Sequence, residues 1–135
     1  MYAEPIAPAV NVTTPEAGEA ALRIFFRIAD AWKLSNTEQM TLLGVSRTKF
    51  FSWKAGTLRG GLDKGTIERL SLIFGIYSAL QVLLPIPERA DAWISKPNTA
   101  PLFGGECALA RMLGGQVSDL YVVRQYLDAQ RNGWS

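Results

Sequence analysis

The stretch that decides the fold runs from Asn36 to Ala55 and reads NTEQMTLLGVSRTKFFSWKA. It describes two short helices around a tight turn. Ser35, followed three residues later by Glu38, is a capping-box start in which hydroxyl and carboxylate each accept from the other's backbone amide. Gly44 falls where the chain must take a positive φ, which glycine does at little cost. Ser46 can cap the next helix, about Arg47 to Lys54, and Gly56 stops it. Leu43 and Val45 flank the turn, and Phe50 and Trp53 share one face, placed to pack back on Leu43 and the preceding helix. The opposite face then presents Arg47, Thr48, Lys49, Ser52 and Lys54, donors and cations suited to phosphates and base edges. This is the pattern of a DNA-binding helix-turn-helix. An ordinary corner between two helices with a solvated basic face carries the same pattern, and both readings stand on these residues alone.

The charge distribution bears on that choice. The 135 residues hold 14 basic and 12 acidic side chains, net +2. Residues 1 to 38 are net −2, and residues 39 to 62 hold Arg47, Lys49, Lys54 and Arg59 with no acid, net +4. Residues 63 to 84 and residues 85 to 135 are each neutral. The excess positive charge thus lies in one short window, which favours a polyanion partner for that window only. Four cations make a modest electrostatic footprint, so a specific DNA reader of this size is expected to work as a dimer on a two-fold site.

Working outward, residues 1 to 15 are rich in Ala and Pro, poor in large apolar side chains, and read as a flexible tail without signal-peptide features. Thr14-Pro15-Glu16 starts a helix that places Leu22, Phe25, Phe26, Ala29 and Trp32 on one face. With the motif this makes a helix-turn-helix region, residues 16 to 62. Asp63 or Thr66 starts a long central helix, residues 63 to 84, closed by Pro85. Its stretch Leu70 to Leu84 is apolar almost all round but has 15 residues, short of the roughly 20 of a membrane span. The expectation is a buried helix, or one partly buried between two copies of the chain, and no membrane role.

In residues 85 to 135 a short helix runs from Pro87 through Trp93 and Ile94, and Pro97-Asn98 opens a loop. Another short helix spans about Glu106 to Leu113. The last, about Val117 to Arg131, carries Val117, Leu120, Val123 and Leu127 on one stripe and stops at Asn132-Gly133. No segment alternates with the period of two that strands require, so the fold class is all-α.

Other absences exclude chemistry. The chain has no histidine and one cysteine, Cys107, which rules out a Ser-His-Asp or Cys-His relay and the usual zinc and facial-triad sites. A single cysteine forms no internal disulfide, which fits a reducing cytoplasm. The loop Gly56 to Gly61 is glycine-rich but lacks the Gly-Lys-Ser/Thr ending of a phosphate-binding loop. A non-enzymatic binding protein without cofactor or metal is expected. Cys107 reads as a small buried apolar residue and Trp93 as core.

The second half carries a connected pattern: Trp93-Ile94-x-x-Pro97-Asn98, Leu102-Phe103-Gly104-Gly105, Leu113-Gly114-Gly115, Asp119-Leu120-Tyr121-x-Val123-Arg124-x-Tyr126-Leu127-Asp128-Ala129-x-Arg131, and Gly133-Trp134. It resembles the toxin-binding domain of the Xre/MbcA/ParS antitoxin family. The upstream motif and the long helix, from Leu62-Asp63 through Ile67-Glu68-Arg69-Leu70 to Gly75-Ile76-Tyr77 and Ala79-Leu80, are similar to the same family. The resemblance spans about residues 20 to 135. It departs at Glu106-Cys107-Ala108-Leu109, where many members have a proline before the leucine.

The resemblance implies an N-terminal Xre-like helix-turn-helix bundle followed by a small helical toxin-binding domain. It further implies an antitoxin of a type II toxin–antitoxin pair. The partner would be a RES-domain toxin that degrades NAD⁺ or transfers its ADP-ribose. The antitoxin would occlude the toxin's active site and repress its own operon through the helix-turn-helix. Toxin-facing candidates are Asn98, Phe103, Arg124, Asp128, Arg131, Trp134 and Ser135. Trp134, beyond the last helix stop, either folds back on its own domain or enters a partner, and the resemblance favours the partner. Arg124 and Arg131 lie near one face with Asp128 between them, at spacings that permit local ion pairs. A solvated face explains all three equally well. The alternative to the antitoxin reading is a stand-alone transcriptional regulator whose C-terminal lobe dimerises. In either case a homodimer through the central apolar helix is expected.

Overall fold

The computed structural model describes residues 14–133. Among these residues seven α-helices follow in order: α1 Pro15–Ala31, α2 Asn36–Leu43, α3 Arg47–Lys54, α4 Lys64–Leu83, α5 Pro87–Ala92, α6 Ala108–Met112 and α7 Val117–Arg131. A 3-10 turn, Trp93–Ser95, extends α5. Among the described residues there is no strand, only an isolated bridge between Pro97 and Cys107. The all-α expectation holds.

Local chemistry sets the starts. Thr14 Oγ1 accepts from Ala17 N at 3.2 Å and Pro15 occupies the first turn of α1. The capping box forms both ways: Glu38 N donates to Ser35 Oγ at 3.1 Å and Ser35 N to Glu38 Oε1 at 2.8 Å. Ser46 Oγ accepts from Lys49 N at 3.2 Å, and Asp63 Oδ1 from Thr66 N at 2.8 Å. Each cap satisfies an amide that the first helical turn leaves without a partner and is worth about 1 kcal/mol. α1 ends without a glycine. Leu34 N bonds Ala29 O at 2.9 Å across Lys33, which adopts φ 58°, a left-handed conformation normally left to glycine.

One core joins both halves. Leu70, Ile73, Ile76, Ala79 and Leu80 of α4 are buried, packed chiefly against α7, whose buried stripe is Leu120, Val123 and Leu127. On the other side Leu22, Phe25, Ile28 and Ala29 of α1 meet Leu42, Leu43 and Phe50 in the same cluster. Each fully buried Leu, Ile or Phe contributes roughly 1.5–3 kcal/mol of transfer free energy, so this shared helix holds the two lobes in register. α4 has 20 residues and a window of mean hydropathy 1.2, long and apolar enough to cross a membrane by those measures alone; a third of that window is buried here.

Three expectations shift. α6 begins at Ala108, two residues later than expected, with Cys107 as a cap that makes no side-chain bond. Cys107 is half-buried, because its backbone pairs with Pro97 at the mouth of a loop. The expected tail falls outside the described residues apart from Thr14 and Pro15, which open α1.

Candidate functional site

The turn between α2 and α3 is built as the sequence requires. Gly44 sits at φ 68°, and its N–H and that of Val45 both bond Met40 O, at 2.8 and 3.2 Å. Gln39, buried beneath the turn, donates Nε2 to Leu34 O at 3.1 Å and fixes the entry to α2. Phe50 is fully buried and meets Phe26 of α1 edge-on with ring centres 6.0 Å apart. These contacts hold α3 as a rigid ridge on the bundle.

The five residues expected on the outer face of α3 divide by helix phase. Arg47, Thr48 and Lys49 are exposed. Ser52 is half-buried, and its hydroxyl donates to Thr57 O at 3.0 Å, closing the end of the helix. Lys54 is also exposed, but it follows Phe50 by four residues and so lies on the side of α3 turned toward α2 rather than opposite Phe50. Its Nζ bonds Asn36 Oδ1 at 2.9 Å, tying α3 to the start of α2. The cations rest on aromatic rings: Arg47 lies 5.0 Å over Phe51, Lys49 5.8 Å over Trp53 and Lys54 5.6 Å over Phe50. Such contacts are worth about 0.5–1 kcal/mol at exposed sites and restrict where the charges point. Lys49 also faces Asp63. The Asp63 carboxyl is held below its ordinary range, first by the Thr66 backbone N–H and the Thr66 side chain, with Lys49 adding to the effect against a small desolvation.

The C-terminal lobe is organised by an aromatic cluster. Phe103 meets Trp93 edge-on at 5.9 Å and Tyr126 edge-on at 5.3 Å, while Trp93 stacks on Tyr126 at 6.4 Å. Phe103 is only 5% exposed, so this candidate toxin contact is a core residue. Asn98 likewise acts inside the loop. Its Oδ1 accepts from Ala100 N at 2.9 Å, its N–H donates to Glu106 O and its carbonyl accepts from Gly105 N, each at 3.0 Å. Phe103 shapes the surface from beneath, while Asn98 stays half-exposed on it.

Arg124 faces α4. Its Nη1 bonds Ser71 O at 3.3 Å, its Nε lies 3.4 Å from Asp128 Oδ2, and its guanidinium covers Gly75, where a Cβ would collide with it. Asp128 therefore pairs with Arg124. Arg131 is exposed and makes no ion pair among the described residues, so the second expected pair with Asp128 does not form. Trp134 and Ser135 lie outside the described residues. Two turns before Asp128 the outer face of α7 presents Tyr121, 52% exposed.

Two residues that sequence reasoning missed build the joint between the lobes, Arg69 bridging it and Asp119 shaping its C-terminal side. Arg69 of α4 donates Nη2 to Gly115 O at 2.9 Å and Nη1 toward Thr41 O at 3.5 Å, with its stem against Gly44. Asp119 accepts from Gln116 N at 3.0 Å and from Arg111 Nε at 3.1 Å, fixing the Gly114-Gly115 turn that Arg69 grips. Net charge hid both, since each sits in a neutral window with an opposite charge nearby. Among the described residues no group of three or more Cys, Asp or Glu is placed to hold a metal ion.

Comparison with known proteins divides the chain in the same way. The family model described as antitoxin Xre-like helix-turn-helix domain matches residues 13–75. The one described as antitoxin Xre/MbcA/ParS C-terminal toxin-binding domain matches residues 79–133. The two matches meet within α4. The chain is also 53% identical over 115 residues to the uncharacterized protein y4oB of Sinorhizobium fredii (strain NBRC 101917 / NGR234), covering 84% of this chain and 86% of that protein.

Proposed function

The chain belongs to the Xre/MbcA/ParS antitoxin family, and from that premise we propose that it neutralises a RES-domain toxin by steric occlusion. It carries an antitoxin toxin-binding domain and a helix-turn-helix. The toxin consumes NAD⁺ or transfers its ADP-ribose; the antitoxin contributes no chemistry and acts in the cytoplasm. The observation that carries this reading is the toxin-binding match over residues 79–133, laid on a lobe with no net charge and an exposed outer edge on α7.

On that edge Asp128, Arg131 and Tyr121 meet the toxin, Arg124 supports Asp128, and Asn98 and Phe103 hold the loop beneath. Trp134 and Ser135 complete the contact from the chain end. Aromatic and arginine anchors are the usual carriers of interface energy. Through the helix-turn-helix the protein represses its own operon, with Arg47, Thr48 and Lys49 on the DNA and Ser52 and Lys54 holding α3. A homodimer through the exposed end of α4, where Val82 is 57% exposed with Ile86 beside it, supplies the second reading head.

Co-expression with the product of the neighbouring reading frame, followed by mass measurement of the purified assembly, tests the reading. A stable hetero-oligomer with a RES-type protein is expected. A chain that purifies alone as a DNA-binding homodimer would instead mark a stand-alone regulator.

A further inference from the structure

We propose that Arg47 and Phe51 form one base-reading unit that selects a thymine beside a guanine in each half-site. The inference rests on the DNA-binding reading above and adds which bases α3 reads and with which atoms.

Phe50 belongs wholly to the core, and Phe51 rests only part of its ring against it. Phe50 is fully buried, whereas Phe51 is half-exposed on the outer side of α3, between Arg47 and Thr48 on the helix surface. It meets Phe50 edge-on at 5.1 Å, so the ring is anchored from below while part of it faces solvent. Arg47, four residues earlier, lays its guanidinium 5.0 Å over that ring. The pair presents an apolar surface and a planar fork of donors side by side on one ridge.

Helix electrostatics point the same way. Arg47 opens α3, and the first turn of this helix contains no acid. A cation there faces the positive end of the helix dipole and works against helix stability. Stacking on Phe51 offsets part of that cost, and an acceptor beyond the ridge removes the rest. The N-terminal residues of a recognition helix are those that reach base edges in the major groove. There the Arg fork matches the O6 and N7 acceptors of guanine, and an aromatic or aliphatic surface matches the 5-methyl of thymine. Lys49 has another task. It lies on the opposite flank over Trp53 and toward Asp63, suited to a backbone phosphate and so to affinity without sequence preference.

Selection of bound duplexes from a random library with the full chain tests the unit, comparing wild type with Phe51→Ala, Phe51→Leu, Arg47→Ala and Lys49→Ala. Melting followed by circular dichroism confirms that each variant folds, with Phe51→Leu keeping most of the buried volume. The expected wild-type motif has an adjacent thymine and guanine in each half-site. Phe51→Ala keeps the guanine and loses the thymine; Arg47→Ala loses the guanine preference by roughly tenfold or more. Lys49→Ala weakens all sequences alike. Replacing the selected thymine by deoxyuridine, which removes only the methyl, weakens wild type about fourfold and leaves Phe51→Ala unchanged. An unchanged motif in folded Phe51→Ala, or equal affinity for thymine and deoxyuridine, overturns the proposal while leaving DNA binding intact. Failure of wild type to retain any duplex overturns both.

Discussion

Replacing Gly44 by alanine probes the joint where the helix-turn-helix meets the C-terminal lobe. Gly44 holds φ 68°, so any Cβ there costs about 1–2 kcal/mol of backbone strain. That Cβ would also stand 2.7 Å from Arg69 Nε and 2.9 Å from Cζ. The guanidinium must then shift, and that shift is expected to break the charge-assisted bond to Gly115 O at 2.9 Å. For a partly exposed group that bond is worth about 1.5 kcal/mol, while the 3.5 Å approach to Thr41 O adds little. Gly44→Ala should therefore cost about 3 kcal/mol, and Arg69→Ala about 1.5 kcal/mol. In the double variant the strain remains but the Arg69 contribution is lost only once, so the total stays near 3 kcal/mol. Urea denaturation of the four proteins, followed by circular dichroism, measures the cycle. The account predicts sub-additivity of about 1.5 kcal/mol. Additivity within about 0.5 kcal/mol would refute the claim that Arg69 is seated on Gly44 and bridges the lobes.

Phe103→Ala should destabilise the fold by about 3–5 kcal/mol in urea melts, as a buried aromatic does; a loss below about 1 kcal/mol would return Phe103 to the surface. Lys33→Gly should stabilise the chain by about 1 kcal/mol, because it relieves a left-handed residue at the end of α1; a lower melting midpoint would contradict that. Asp63→Ala should cost about 1 kcal/mol near neutral pH. Because folding lowers the Asp63 pKa, its stabilisation is present above the unfolded value and fades as pH falls through the folded one. The gap between wild type and Asp63→Ala should thus close below about pH 4 in melts across pH, and a gap that widens in acid would reverse the assignment.

What was legible in the sequence was mostly local. Thr14, Ser35 with Glu38, Ser46 and Asp63 cap amides three residues away, so their geometry follows from spacing. The apolar stripe of α7 follows from helical period in the same way. What was hidden depends on pairs distant in sequence. Arg69 meets carbonyls 28 and 46 positions away, and Arg124 meets one 53 positions away, and no periodicity marks such partners. Lys54 was expected opposite Phe50, yet it follows Phe50 by four residues and its exposed amine turns toward Asn36 of α2. Phe103 sits in a glycine-bounded loop, where sequence cannot tell an aromatic facing a partner from one that plugs the loop onto Trp93 and Tyr126.

The central claim is that this chain silences a toxin by covering its active site. The direct measurement is NAD⁺ consumption by the RES-domain toxin that the proposed function assigns to the neighbouring reading frame, titrated with the full chain. The account predicts that activity falls linearly to zero at a fixed stoichiometry, and that Asp128→Ala with Arg131→Ala shifts the curve without changing the fold. Undiminished NAD⁺ consumption in the presence of excess folded chain would contradict it.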